Sequence, residues 1–516
     1  MTKTKRMTIN MIAQIIAFGT NFLISFFFTP YIVKNIGEEA FGFVGLANNF
    51  INYATIITTA LNSMVGRFVT INIHREKYED VNKYMTSVII ANVCLAIPIT
   101  IVASLILAFL PKIVDVPQNI QIDVTILWGL LFLNFIIGLI GNVFSVATFS
   151  QNRIDLSSKR SIESNVLKVI VLLVLFLLFK PSVWYFGLAT LICGIYVIFK
   201  NIYYTKKLLP SVKIEKKFID FTKIKELLLA GGWNSLSAFG RVLSTELDLL
   251  ITNLFVGASP MGIVSIAKTL PSYVLSLFST FSGVFAPQLT IDYAKKDYKE
   301  MYRELLSAVK FLAFFACIPL ACLYAYGEEF FSLWIPGQDA KLIQTLSILA
   351  GAAFPISLPL EPLWSIFTIT NKLKKSSLFL FANSLLSIII TFTLLGFATD
   401  NIHKMYIVVG VSSVIGFIRS FTFLPIYGAK CLKIKLNSFY PVIFKNVFAI
   451  IITTIIALAI KGFINIESWI SLIIAGGLTV LSTCIINYFI ILSNNERQKI
   501  KAFIKTFIKG RLRHDS

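Results

Sequence analysis

The chain alternates between apolar runs and short polar connections along almost its whole length. A helix rises 1.5 Å per residue, so an apolar run of about 20 residues spans the hydrocarbon core of a bilayer. Assigning one helix to each run predicts an all-α membrane protein with about 14 transmembrane helices.

The seventh and eighth predicted helices meet near Gly257 and carry polar residues at regular spacing within apolar sequence. On the seventh helix the polar positions recur every three or four residues, at Asn234, Ser237, Arg241, Thr245, Asp248 and Thr252. The eighth helix has the same pattern at Lys268, Ser272, Ser276, Ser279 and Gly283. This spacing places each set on one helical face. Two such faces turned towards each other predict a wet, charged cavity inside a helical bundle.

Charged side chains this deep in apolar sequence cost about 3 kcal/mol each, so they indicate a functional site. Glu246 and Asp248 lie at a depth similar to Lys268. Lys268 is therefore predicted either to bind an anionic ligand or to pair with one of these carboxylates. Arg241 is about 10 Å from Asp248 along a straight helix, which is too far for an ion pair. Arg241 is the preferred ligand contact.

Amide side chains and one further carboxylate complete the candidate site. Asn21, Asn48, Asn49, Asn52 and Asn234 are predicted to line the cavity, although hydrogen bonds between helices explain such residues equally well. Glu361 lies in the tenth helix, which should be kinked or broken at Pro355, Pro359 and Pro362. It either forms a coupling-ion site or satisfies a neighbouring helix.

A shift of 220 residues aligns two parts of the chain without a gap. The matched pairs are Gly37 and Gly257, Gly42 and Gly262, Val44 and Val264, Ala47 and Ala267, Tyr53 and Tyr273, Thr70 and Thr290, Ile71 and Ile291, and Tyr78 and Tyr298. The repeat predicts two pseudo-symmetric lobes of six helices, at residues 1–203 and 226–427, joined by a basic cytoplasmic linker over residues 204–225. Two extra helices follow in residues 441–492, and residues 495–516 form a basic amphipathic tail.

The composition of 56% hydrophobic and 14% charged residues is that of a membrane protein. The net charge of +21 does not indicate nucleic-acid binding, because 34 of the 47 Lys and Arg residues fall in alternate connections. The intervening connections hold only Lys34, Lys112, Lys180, Lys341, Lys404 and Lys461. This asymmetry predicts that both termini and the basic loops are cytoplasmic. The tail then either lies as a helix on the anionic inner leaflet or is a frayed basic end.

The N-terminal apolar stretch is too long for a signal peptide and has no small-residue cleavage pattern, so we expect it to be retained as the first helix. The six cysteines show neither metal-ligand spacing nor a disulfide framework. No metal or organic cofactor is expected.

Three stretches of the chain carry a family resemblance: Thr29-Pro30-Tyr31-Ile32-Val33-Lys34-Asn35-Ile36-Gly37 with Phe41-Gly42, Asp248-Leu249-Leu250-Ile251, and Val256-Gly257 with Met261-Gly262-Ile263-Val264-Ser265-Ile266-Ala267. They resemble bacterial polysaccharide flippases of the multidrug/oligosaccharidyl-lipid/polysaccharide (MOP) exporter superfamily. The resemblance implies a V-shaped, MATE-like bundle with an electropositive cavity and alternating access. It implies translocation of undecaprenyl-pyrophosphate-linked oligosaccharide across a bacterial inner membrane. If this transport is coupled to an ion, the ion is H+ or Na+. The expected partners are this lipid-linked oligosaccharide, membrane lipids and polysaccharide polymerase machinery.

Three rival functions differ in what they require of the sequence. A multidrug antiporter of the same superfamily would have a cavity dominated by acidic and aromatic residues, whereas here Arg241 and Lys268 balance the two carboxylates. A membrane glycosyltransferase, polymerase or ligase needs catalytic residues on substantial external loops. The outer connections are short, so an enzyme is not expected. A structural scaffold would leave the deep charges unexplained.

Overall fold

The computed structural model describes residues 3–151, 153–494 and 496–498. Within this range there is no strand, and the predicted all-α fold is confirmed. Of the tail predicted over residues 495–516, all but residues 496–498 lies outside the described residues. The first eleven helices are α1 (Lys3–Asn35), α2 (Glu38–Asn62), α3 (Val65–His74), α4 (Tyr78–Ala108), α5 (Leu110–Ile113), α6 (Gln121–Gly141), α7 (Val146–Ser150), α8 (Ile154–Leu178), α9 (Trp184–Leu208), α10 (Phe221–Arg241) and α11 (Asp248–Phe255). The other helices are α12 (Ala258–Ala294), α13 (Tyr298–Trp334), α14 (Ala340–Ala350), α15 (Phe354–Ser357), α16 (Leu363–Ile369), α17 (Leu373–Leu395), α18 (Asn401–Phe421), α19 (Phe423–Leu432), α20 (Tyr440–Phe463) and α21 (Trp469–Ile490).

Twelve helical segments of the described chain are long and apolar enough to cross a membrane. The two other predicted spans are present as broken helices. The seventh is divided between α10 and α11, and the tenth among α14, α15 and α16. The break in the tenth was predicted from its prolines, which cannot donate a backbone hydrogen bond and clash with the preceding turn. The count of fourteen spans stays a prediction.

Packing divides the molecule into two compact units. The first unit comprises the described residues up to Thr269 together with Leu373–Ser412, and the second comprises Leu270–Lys372 with the described residues from Ser413 onward. The predicted division into two lobes of six helices stays a prediction.

In the first unit, α2 and α12 approach very closely at two glycines. A methyl group added to Gly262 would lie 2.3 Å from the backbone oxygen of Glu38, and one added to Gly42 would lie 2.9 Å from the Gly262 Cα. Small residues at a crossing allow two membrane helices to bring their backbones together. The crossing holds the start of α12 against α2, and Lys268 lies further along the same helix.

Positions that the sequence repeat pairs adopt matching backbone conformations. Gly37 and Gly257, which precede α2 and α12, have φ angles of 110° and 127°. Glu76 and Lys296 have φ angles of 58° and 60°, and they lie just before α4 and α13 begin. A non-glycine residue with positive φ is uncommon. Its recurrence at a spacing of 220 residues therefore supports the internal repeat.

In the second unit, hydrogen bonds and an ion pair join the two extra helices, α20 and α21, to α13. The Tyr326 hydroxyl donates a hydrogen bond to the Ala457 carbonyl oxygen at 2.9 Å, and the Asn487 amide donates to the Phe314 carbonyl oxygen at 2.6 Å. Lys461 forms an ion pair with Glu329, with 2.5 Å between Nζ and Oε1. Hydrogen bonds of this kind stabilise helix association where burial of apolar surface provides no driving force.

Asp220 caps the first helix of the candidate site, α10. Its carboxylate accepts a hydrogen bond from the backbone N–H of Thr222 at 2.9 Å. Thr222 donates hydrogen bonds to this carboxylate from its hydroxyl and from its backbone N–H, and they hold the pKa of the Asp220 carboxyl below its usual range. The hydroxyl has the larger effect. The cap satisfies an otherwise unpaired donor at the helix start.

Candidate functional site

The seventh predicted span is interrupted at the level of its charged residues. Residues Val242–Glu246 form one π-helical turn between α10 and α11, and the prediction of a straight helix is wrong. A π turn adds one residue, so the helix beyond it is rotated by roughly 100° relative to an uninterrupted α-helix. Such turns are rare and frequently occur at functional sites.

This rotation splits the predicted polar stripe. Arg241 and Thr245 are exposed, whereas Asp248 and Thr252 are buried, with 6% and 0% of their surface accessible. The prediction that Arg241 and Asp248 share one face two turns apart is therefore wrong. Of the polar positions predicted on α12, Ser272, Ser276, Ser279 and Gly283 are exposed and Lys268 is half-buried. The cavity predicted between the two polar faces stays a prediction.

Lys268 is paired with Asp248. Its Nζ lies 2.8 Å from Asp248 Oδ2 and donates a second hydrogen bond to the Thr245 carbonyl oxygen at 2.7 Å. The aspartate side chain is 9% exposed and the lysine side chain 25% exposed, so the pair is largely shielded from solvent. Of the two carboxylates considered from the sequence, Asp248 is the partner of Lys268. Each charge compensates the burial of the other, which would be costly for either alone.

Two side chains of α2 hold the irregular turn. The Glu246 carbonyl oxygen accepts hydrogen bonds from the Asn49 amide at 2.7 Å and the Tyr53 hydroxyl at 2.8 Å. The bond of Asn49 is the contact between helices that was one of the two roles predicted for it, whereas no role was predicted for Tyr53. Their four-residue separation places them on one face of α2, which could have indicated a shared partner. The Glu246 carboxylate forms no ion pair with any described residue.

Arg241 ends α10 directly before the π turn. Its side chain is exposed, and within the described chain it has neither an ion-pair partner nor a side-chain hydrogen bond. Its backbone carbonyl accepts a hydrogen bond from the Thr245 hydroxyl at 3.0 Å. The guanidinium is thus available for an external anion.

The predicted asparagines take different places in the first unit. The Asn234 amide donates a hydrogen bond to the Ser63 hydroxyl at 3.2 Å, joining α10 to the end of α2. The exposed Asn48 amide donates to the Val44 carbonyl oxygen of its own helix at 2.8 Å. Asn21 is exposed on α1, and Asn52 is half-buried on α2. The hydrogen bonds of Asn48 and Asn234 leave their amide oxygens available to a ligand.

Glu361 belongs to the second unit and lies in the turn between α15 and α16. It interacts electrostatically with Arg419, whose guanidinium lies 5.9 Å from the centre of the Trp364 ring. Throughout the described residues, no group of three or more His, Cys, Asp or Glu side chains could hold a metal ion.

The chain is similar in sequence to known proteins. Residues 7–290 match the family model described as polysaccharide biosynthesis protein. The chain is 29% identical over 504 residues to the uncharacterized membrane protein EpsK of Bacillus subtilis (strain 168), covering 97% of this chain and 99% of EpsK.

Similar solved structures include an inward-facing multidrug resistance MATE family transporter of the MOP superfamily, at 15% identity and a TM-score of 0.63. They also include the eukaryotic MATE transporter AtDTX14, at 14% identity and a TM-score of 0.62. Each alignment covers 83% of this chain, with 98% of the first structure and 97% of the second. At these identities the likeness concerns the fold, and it agrees with the resemblance identified from the sequence. The chain is therefore a multi-pass membrane protein of the polysaccharide biosynthesis protein family, with the fold of the MOP transporter superfamily.

Proposed function

We propose that the protein translocates an undecaprenyl-pyrophosphate-linked oligosaccharide from the inner to the outer leaflet of a bacterial inner membrane. The oligosaccharide is a repeat unit of capsule, O-antigen, exopolysaccharide or teichoic type. Membership of a polysaccharide biosynthesis family supports this substrate class. The lipid tail stays in the bilayer while the polar head crosses in a cycle of alternating access. If the cycle is coupled to an ion, the ion is H+ or Na+.

The observation that carries the proposal is the availability of the Arg241 guanidinium. Lys268 is neutralised by Asp248, whereas Arg241 is exposed and has no carboxylate partner among the described residues. A cation in a membrane span is costly unless an anion approaches it. A guanidinium can hold a phosphate through two parallel hydrogen bonds, so the pyrophosphate of the cargo is its fitting ligand.

Substitution of Arg241 tests the proposal. We expect Arg241→Ala to abolish translocation while the protein still folds and inserts, and Arg241→Lys to retain part of it, because a lysine provides charge without the bidentate geometry. The measurement is the accumulation of lipid-linked oligosaccharide in the inner leaflet, compared at equal membrane protein levels. Arg67→Ala, which removes another exposed arginine of the first unit, serves as the matched control. Normal translocation by Arg241→Ala would reject the proposal.

Export of cationic drugs is the second candidate, favoured by the Glu246 carboxylate, which forms no ion pair with any described residue. An available acid could bind a cationic substrate or a coupling proton. If this function operates, Glu246→Gln should reduce efflux of a cationic dye from cells that express the protein. If cells that express the unaltered protein show no efflux of the dye, export of cationic drugs is rejected as a function.

The remaining expectations belong to the same proposal. Both termini are cytoplasmic, and the surrounding membrane lipids and the polysaccharide polymerase machinery are the partners. No nucleic acid and no cofactor take part, and the chain is not an enzyme. Under this reading Asn21, Asn48, Asn52 and Asn234 contact sugar hydroxyls through their amide oxygens, and Glu361 and Glu246 are candidates for the coupling step.

A further inference from the structure

The first unit contains a second polar region, distinct from the Lys268 and Asp248 pair. A cavity of about 630 Å³ lies between α2, α6, α8 and α9. Its lining includes Lys168 of α8 and the amide side chains of Asn62, Asn134, Asn142 and Asn165. The volume falls within the range of binding sites for small molecules, about 300 to 1,000 Å³.

Lys168 has an unusual electrostatic environment for a cation within a membrane span. The residues that line the cavity include neither Asp nor Glu, and no described residue forms an ion pair or a hydrogen bond with the Lys168 ammonium. In contrast, Lys268 and Lys310 each have a carboxylate oxygen within 3.0 Å. An uncompensated ammonium in a membrane span is costly, so a ligand that carries a negative charge would be stabilised beside Lys168.

The neutral part of the lining is suited to a hydroxyl-rich molecule. Asn62 is held in place by reciprocal amide hydrogen bonds with Asn92, at 3.2 and 3.0 Å. Asn134 and Asn142 have no side-chain hydrogen bond to any described residue, so their amides can serve a ligand. Asn134 is packed so closely against Gly194 that a methyl group there would lie 1.9 Å from its Oδ1. An amide confined in this way is prearranged to bind sugar hydroxyls.

We propose that this cavity binds an acidic sugar, with its phosphate or carboxylate on Lys168 and its hydroxyls on Asn134 and Asn142. This site rests on the proposed function in one respect: its natural ligand is an acidic sugar residue of the oligosaccharide that the protein translocates. A free inorganic anion offers the same charge without the hydroxyls. Binding of the sugar phosphate must therefore exceed binding of phosphate alone.

The test is equilibrium binding of radiolabelled glucose 1-phosphate to the purified full-length protein in detergent. We expect Lys168→Gln to weaken binding by about 10- to 100-fold, the usual effect of removing a hydrogen-bonded charge. Lys168→Arg should retain most of it. The matched control, Lys445→Gln, removes an exposed lysine of α20 and should leave binding unchanged. Asn134→Ala should weaken binding of glucose 1-phosphate more than binding of inorganic phosphate.

Each contrary outcome has a defined meaning. If unlabelled phosphate competes as well as unlabelled glucose 1-phosphate, the sugar part of the proposal is wrong. If the unaltered protein binds neither, or if folded Lys168→Gln binds normally, the anion site is wrong. The assay measures binding without transport. Intact binding in a protein that fails to translocate lipid-linked oligosaccharide would therefore keep this site and reject the proposed function.

Cys193 provides a second measurement that locates the ligand. It lines the same cavity, and its thiol donates a hydrogen bond to the Ser164 carbonyl oxygen at 3.3 Å. In a variant whose other five cysteines are replaced by serine, glucose 1-phosphate should slow alkylation of Cys193 by N-ethylmaleimide. Added Lys168→Gln should remove this protection. Protection that persists without Lys168 would place the sugar phosphate elsewhere and overturn the proposal.

Discussion

At the scale of single residues, the cations within the spans differ in whether a carboxylate is close enough to form an ion pair with them. Lys268 has Asp248, and Lys310 has Glu496. Arg241 and Lys168 have no such partner within the described part of the chain. The paired cations contribute to the structure, whereas Arg241 and Lys168 are the two cations at which we propose that an anionic ligand binds.

The ion pair at the π turn leads to a prediction about stability. Lys268→Met should leave Asp248 buried and uncompensated and destabilise the protein by about 3–5 kcal/mol, the usual effect of breaking a buried pair. The double variant Lys268→Met with Asp248→Asn should recover most of this loss, because no charge is then stranded. The measurement is thermal unfolding in detergent.

Glu246→Gln is the control for that experiment, since it removes a carboxylate of the same turn that has no ion-pair partner among the described residues. It should change the unfolding temperature little. A double variant as unstable as Lys268→Met alone would show that the two charges do not compensate each other.

At the scale of helices, irregular turns and close crossings determine where the side chains point. The π turn after Arg241 turns Asp248 inward, and the glycine crossing brings α12 against α2. Both features position Lys268 for its pairing. Neither alters the hydrophobic pattern by which the helices are recognised in the sequence.

The crossing predicts a difference between two glycines of one helix. Gly262→Ala should destabilise the protein by about 1–3 kcal/mol, because the new methyl group meets backbone atoms of α2 that cannot simply move aside. Gly283→Ala places a methyl group where nothing lies within 4 Å. This control should be neutral or slightly stabilising, since alanine favours a helix over glycine. Thermal unfolding of both variants measures the difference, and equal effects would contradict the close crossing.

At the scale of the whole molecule, the distribution of basic residues predicts the orientation in the membrane. The recurrence of backbone conformations at a spacing of 220 residues supports a duplicated arrangement of helices. Because the matched segments are separated by an even number of predicted spans, both copies should begin on the cytoplasmic side.

Cysteine labelling tests that orientation in a background without the native cysteines. Lys180→Cys and Lys404→Cys should react with an impermeant thiol reagent added outside intact cells, because they lie in the connections poor in basic residues. Lys217→Cys and Lys374→Cys should react only after permeabilisation. The opposite labelling pattern would invert the predicted topology.

The sequence by itself determined the fold class, the presence of charges within the spans and the break in the tenth helix. The length of an apolar run, its composition and its prolines are local properties of the chain. The bilayer interior offers no hydrogen bonds to the backbone, so an apolar run of sufficient length must cross it as a helix. The resemblance carried by Asp248 and the residues around Gly257 was also readable without coordinates, and the family match agrees with it.

Only the tertiary structure decided which carboxylate pairs with Lys268, that Arg241 and Asp248 face different ways, and that Lys168 lies in a cavity without a carboxylate. These facts depend on the rotation of each helix about its axis and on its register against its neighbours. A single π turn changes the rotation by roughly 100° while the composition of the span stays the same. The sequence therefore indicated which residues are costly to bury, and the packing decided which of them remain available to a ligand.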